Sequence, residues 1–288
     1  MDIRNTLLCV SFSISCWEAR KQDKKATREV ATNHATDAKV GRYHKDLLPD
    51  AAEHEAILKI RNAWRVWHYD NTLPWGDDAS RVLRSAAFLD YTQGYNAFKA
   101  QFDQACEDFY AAYPTLIAQA QLRLNTLFDA RDYPDVSEVR RRFATRINTY
   151  PLPNANDFRV LDGITAEEAE RLRAEAISGL EAQVTDAMKE LWGRMHKVVA
   201  AVHERLAVPI GAPGATFRDS LLENVRDLLE VLPRLNLTGD SDIARMAVEM
   251  DGLARLEPDT LRASVDARAA TAAKAAKLAQ QMAVFVGG

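Results

Sequence analysis

The 288-residue sequence lacks most of the short patterns that betray a chain's chemistry. It holds no G-x-x-x-x-G-K and no G-x-G-x-x-G, so no glycine-rich loop offers backbone N–H groups to a phosphate. It holds no G-x-S-x-G, which excludes the usual nucleophile elbow. His54-Glu55 and His203-Glu204 each lack the second histidine of H-E-x-x-H. His196 and His203 lie seven apart, whereas helical metal ligands favour a spacing of four. No metal, no cofactor and no catalytic residue is therefore expected. Paired carboxylates such as Asp77-Asp78 and Glu167-Glu168 stand at expected helix starts, where the helix dipole already accounts for them.

Cysteine is scarce as well. Cys9, Cys16 and Cys106 form an odd set with no C-x-x-C, which fits a reduced, cytoplasmic protein rather than a disulfide framework. No run of about 18 apolar residues exists, so no membrane span is expected. Leu7–Cys16 leans apolar, but it is short, broken by serines and not preceded by a strong basic stretch, so it does not read as a signal peptide. Net charge is −4 and the isoelectric point is near 5.9, so any attraction to nucleic acid must come from a local patch.

What is present is helical pattern. Composition is globular, 47% hydrophobic and 27% charged. Thr165 and Glu168 form a T-x-x-E capping box, and no proline follows until Pro209. Between them one apolar residue falls on every turn, from Ala169 through Leu180, Met188 and Met195 to Leu206. At ~1.5 Å per residue this predicts a helix roughly 60 Å long over 165–207. The period is nearer 3.7 than 3.5 residues, which favours a straight helix in a bundle over a supercoiled zipper. Further helices are expected over 24–38, from Pro49 as a first-turn proline, over 80–128 with a kink or break near Tyr113 caused by Pro114, over 135–148, and over 217–235, 242–255 and 258–284. The last is rich in alanine between Ala263 and Ala283, and such small side chains let a helix pack close. The 80–128 run is expected to pack antiparallel against 165–207.

Strand pattern is confined to the start. Leu8, Val10, Phe12 and Ile14 alternate with Cys9, Ser11, Ser13 and Ser15, the signature of a half-buried strand. Asp157–Leu161 is its expected partner. The fold class is thus mostly α, an elongated bundle of long helices with a small antiparallel β-sheet near the N-terminus. The expected organisation is 1–163 (strand, basic segment and helices) followed by 164–288, together one continuous structural unit whose candidate subdivision is 208–215, where Pro209, Gly211, Pro213 and Gly214 cluster.

Two constellations stand out. The aromatics Trp64, Trp67, His68, Tyr69 and Trp75 gather around the loop 69–78. They are a corner pinned to the core, a stacking platform for bases, or an anchor for a protein partner, in which last case Trp75, with Tyr69 and Trp67, would make the contact. The second constellation is basic. Arg140, Arg141, Arg142 and Arg146 are expected on one short helix, and the segment 17–45 carries Lys21, Lys24 and Lys25 among eight positive residues against four negative. Arginine forks suit phosphate and carboxylate alike. These residues are either a solvated, ion-paired face or a nucleic-acid surface, the second favoured if the two segments share one face.

The stretches WEARKQDKK (17–25), GRYHKDLLP (41–49), RNAWRVWHYDNTLPWGDD (61–78) and FYAAYPTLIAQAQLRLNTLFDARDYP (109–134) resemble a family of proteins encoded by tailed phages and integrative elements, over the first ~160 residues. The family has no assigned activity, so no site residue carries over. Its members look as if they travel with phage DNA-recombination genes and a MoxR-like ATPase. The resemblance implies a non-enzymatic, phage-encoded binding protein in the cytoplasm of the infected host. Its implied partner is another macromolecule, an AAA+ ATPase or recombination protein, with direct nucleic-acid binding as the alternative; the oligomeric state stays open.

Overall fold

The computed structural model describes residues 6–37, 39–76, 80–152 and 165–287. The expected strand at 157–161 and the caps Asp77 and Asp78 lie outside them. Among the described residues the chain is mostly helical, with a small antiparallel sheet near its N-terminus. No described helix is long and apolar enough to cross a membrane.

The strands come first. β1 (Leu7–Ser15) forms where the alternation requires it. Its partners are β5 (Ser80–Arg84), paired antiparallel with Leu7 opposite Arg84, and β6 (Ala144–Pro151). β4 (Leu73–Trp75) pairs with β5, giving the order β4-β5-β1-β6. β2 (Arg20–Gln22) and β3 (His44–Asp46) make a separate antiparallel pair. Three of these strands overturn expectations. The loop 69–78 contains β4, the start of the 80–128 run is β5, and the helix expected over 135–148 stops early. That last helix, α4, covers only Val136–Arg140. Beyond it Phe143, Thr145 and Ile147 alternate as a strand does, and the β-branched residues favour the pleat over the helix.

The helices follow their caps. α1 (Lys24–Asn33) starts at Asp23, whose carboxylate accepts from the Lys25 and Ala26 amides. α2 (Ala52–Asp70) begins three residues after Pro49, because Asp50 adopts a left-handed φ of 59°; Pro49 is not its first-turn residue. α3 (Phe88–Leu124) runs through Pro114, so of the kink or break expected there the break is absent. Proline deletes one backbone donor, and the bonds on either side carry the helix past it. α5 (Ala166–Ala207) has the full capping box at Thr165 and Glu168. α6 (Ser220–Leu235), α7 (Ser241–Ala254), α8 (Pro258–Ala263) and α9 (Val265–Val286) follow. The expected 258–284 helix is therefore two. Ser264 is extended and caps α9 by accepting from the Ala267 amide.

The chain forms two compact units. One comprises 1–11, 68–91 and 148–288; the other comprises 12–67 and 92–147. In the first, the core is built on α5 from Ala187 onward, where Met188, Leu191, Trp192, Met195, Val199, Val202 and Leu206 are buried. Its cover is chiefly α9, then α6 and β4, and not the 80–128 run. Trp192 stacks on Phe285, His203 donates to the Ala272 carbonyl and Arg268 to the Leu206 carbonyl, so α5 and α9 run antiparallel. Alanines along α9 (Ala272, Ala275, Ala279) let the two helices approach closely. In the second unit, Ile57 and Trp64 of α2 and Phe102 and Phe109 of α3 are buried with Ile14, Trp17, Leu47 and Val139.

Candidate nucleic-acid interface

The aromatic constellation does not make a surface. Trp75, the expected partner anchor, is 6% exposed and belongs to the core around α5. Strand β4 turns it inward, which a loop reading could not foresee. Trp67 is half-buried against Phe98, with ring centroids 5.6 Å apart. Tyr69 remains exposed, but its ring lies 4.7 Å under the Arg81 guanidinium, and its carbonyl accepts from Arg81 and Arg194. His68 is buried, with Nδ1 2.8 Å from the Tyr91 hydroxyl; burial, reinforced by the Arg81 charge, holds its pKa down at about 4. These groups fasten the end of α2.

The arginine run is likewise not one helical face. Arg140 closes α4, Arg141 and Arg142 lie in the turn after it, and Arg146 is on β6. Arg140 is committed: its fork holds both Glu107 oxygens, at 2.6 and 2.8 Å, and it lies 4.1 Å over the Tyr110 ring. Arg141 and Arg146 are exposed. Of the basic segment, Lys25 reaches Glu29 at 3.9 Å, with both side chains exposed, while Lys24 opens α1.

What the fold does bring together is Arg20 and Lys21 with Arg131 and Arg142. They line one groove of about 360 Å³ in the second unit, with Trp17, Asp132 and Glu138. Its construction can be followed from the strand register. β2 and β3 place Lys21 directly opposite Lys45, a repulsive pair. Asp132 resolves the repulsion by taking Lys21 on one oxygen at 2.5 Å and Lys45 on the other at 2.7 Å. Lys45 is buried and also donates to the Leu127 carbonyl at 2.5 Å. Burial alone would push its ammonium pKa down; the bonds and charges of Asp132 and Asp23 outweigh that and hold it above its ordinary value. Asp132 is likewise pushed up by burial, but its two lysines bring it below the usual carboxylate range.

The floor is Trp17, which is 7% exposed. Tyr113 and His54 pack on it with ring centroids 6.0 and 6.4 Å away, and His54 Nε2 donates to its carbonyl at 2.7 Å. Above the indole lies the Arg142 guanidinium, 5.6 Å from the ring centroid and tied by Nη2 to Glu138 at 2.5 Å. Arg131 comes from the turn at 130–132, where both oxygens of Asp129 grip its fork. Arg20 is exposed and has no carboxylate within ion-pair distance among the described residues. Sequence reasoning named Lys21 and Arg142 but missed Trp17, Arg131, Asp132 and Glu138. The adjacency of Trp17 to Arg20 and Lys21 in WEARK was the available signal.

No protein-family model matches the chain, and neither a curated protein nor a solved structure is found to be similar to it.

Proposed function

We propose that this is a non-enzymatic binding protein whose second unit, residues 12–67 and 92–147, binds single-stranded nucleic acid through its phosphates. The observation that carries the reading is the meeting of the two basic segments at one groove, Arg20 and Lys21 from one and Arg142 from the other. Charge partition supports it. That unit holds eighteen Lys and Arg against fifteen Asp and Glu, whereas the other holds nineteen against twenty-six. The acidic balance of the whole chain thus conceals a basic unit. Lys24, Arg42, Arg141 and Arg146 join Arg20 in having no carboxylate partner among the described residues, so their charges are open to external phosphates. The resemblance of the first ~160 residues to a phage and mobile-element family adds a setting in DNA recombination. Docking onto a protein, such as an AAA+ ATPase of that setting, is the second reading, and the burial of Trp75 removes the anchor it relied on.

Fluorescence anisotropy with labelled single strands at low salt tests this. Binding is expected to be alike across sequences, with log K falling linearly in log salt. Changing Arg20 and Arg141 together to Ala should flatten that slope by roughly 0.7 for each phosphate no longer neutralised. No binding at high micromolar protein sinks the proposal, and so does equal competition by polyglutamate, which would indicate an acidic protein ligand.

A further inference from the structure

Resting on that reading, we infer that the groove seats one nucleotide unit, with its base on the Arg142 guanidinium and its phosphate on Arg20 and Lys21. The groove, at about 360 Å³, lies at the small end of ligand sites, roughly 300–1,000 Å³, room for one such unit and not two. Its lining carries two chemistries. Arg142 lies over Trp17 and is steadied by Glu138, while its side chain keeps 39% exposure. A guanidinium held between an indole and a carboxylate is a ready platform for a base. The Glu138 carboxylate beside it repels a phosphate. Arg20, in contrast, has no carboxylate within ion-pair distance among the described residues. Lys21 stands next to it, sharing its one carboxylate, Asp132, with buried Lys45. Asp23 lies 3.5 Å from Lys45, and Asp46 stands across the strands from Arg20 without closing its fork, so an incoming phosphate can take that fork and the free side of Lys21. Arg131 is neutralised by the grip of Asp129 and takes no part. A base on Arg142 and a phosphate on Arg20 and Lys21 is the one orientation in which neither group meets the wrong charge.

The test uses the full chain and the Trp17 indole N–H resonance, assigned with Trp17→Phe. A 5′-mononucleotide, its nucleoside and inorganic phosphate are titrated separately. The mononucleotide should shift the resonance saturably, and the other two should bind at least tenfold more weakly. Arg20→Ala should weaken the mononucleotide about fivefold or more and leave the nucleoside unchanged. Arg142→Lys keeps the charge but removes the plane, so it should bring the mononucleotide down to the level of inorganic phosphate. Equal binding of mononucleotide and inorganic phosphate to the wild type overturns the inference, as does an unaltered preference in Arg142→Lys. Thermal melts by circular dichroism check that each variant is folded. Single strands that bind by anisotropy while the mononucleotide leaves Trp17 unmoved would defeat the inference and spare the broader reading. A mononucleotide that binds as described while single strands do not would defeat the reading and leave a free-nucleotide site.

Discussion

Replacing Gly94 by alanine should destabilise the protein, although alanine is the better helix former. Gly94 lies inside α3, where the exchange alone would gain ~1 kcal/mol. A Cβ at this position, however, would stand 2.2 Å from Cζ2 of Trp67 and 2.9 Å from Cε2. The rigid indole must retreat by about 1 Å or more to reach ordinary contact, and Phe98 is packed against it. Overpacking of this kind costs ~1–3 kcal/mol. The net expectation is a loss of up to ~2 kcal/mol. Gly179 and Gly193 on α5 are internal controls, because a Cβ there meets nothing within 4 Å. Alanine at either should stabilise by ~0.5–1 kcal/mol. Gly252 on α7 is intermediate. Its Cβ would meet only Lys274 Nζ, at 2.7 Å, and that flexible end can swing aside. Urea denaturation followed by circular dichroism at 222 nm reads all four. The decisive measurement repeats Gly94→Ala in a Trp67→Leu background, where the obstacle is gone and the same exchange should become stabilising. A gain of ~1 kcal/mol from Gly94→Ala in the wild-type background would refute the close approach of the two helices.

His68 should make the protein acid-sensitive well above the carboxylate range. Its folded pKa of about 4 lies below the ordinary 6.5, so its contribution is intact above pH 6.5 and is lost as pH falls toward 4; the loss between pH 7 and 5 works out at ~2 kcal/mol. His68→Gln keeps a partner for the Tyr91 hydroxyl and should abolish that part of the slope in urea titrations; an unchanged slope would show that His68 is not held neutral. Trp75→Ala should cost ~3–5 kcal/mol as a buried large-to-small change, and a melting temperature within a degree or two of wild type would return Trp75 to the surface.

The fold was legible wherever one local signal decided it. The capping box at Thr165 and Glu168 set the start of α5, and Pro209 marked its end within two residues. The alternation of 8–14 gave β1. Expectations failed where two periods fit the same letters. Val82 could open an apolar helical stripe or sit in a strand, and pairing with β1 at Cys9 decided for the strand. Phe143 and Ile147 are four apart, as on a helix face, and also two steps of two apart, as on a strand. Pro114 is different: of the kink or break its missing donor could cause, the helix excludes the break. The partner of α5 could not be read at all, because an apolar stripe states what must be covered and not by what. The alanines of α9, legible as close-packing residues, line the helix that covers it.

The site was half legible for a reason specific to arginine. In the sequence every guanidinium is an equal candidate for phosphate, yet the fold spends many of them on itself. Arg81 is buried with no carboxylate in ion-pair distance among the described residues, and donates to Thr72 Oγ1 and to the carbonyls of Thr72 and Tyr69, at the end of α2. Arg268 does the same for the Arg205 and Leu206 carbonyls that end α5, and Arg226 for Ala254 at the end of α7. A helix C-terminus carries partial negative charge and orphan acceptors, so a fork aimed there is satisfied without any acid. Other forks, such as Arg140 on Glu107, are closed by carboxylates. The arginines left for a ligand are those to which the fold supplies neither a helix end nor an acid, and that can be read only after folding. Arg20 survives this elimination because strand β2 holds it on a two-stranded sheet, exposed and with no described acid to close its fork. Arg142 survives for the opposite reason. Its acid, Glu138, sits four residues before it and takes only Nη2, and this partial commitment is what the proposed base seat rests on.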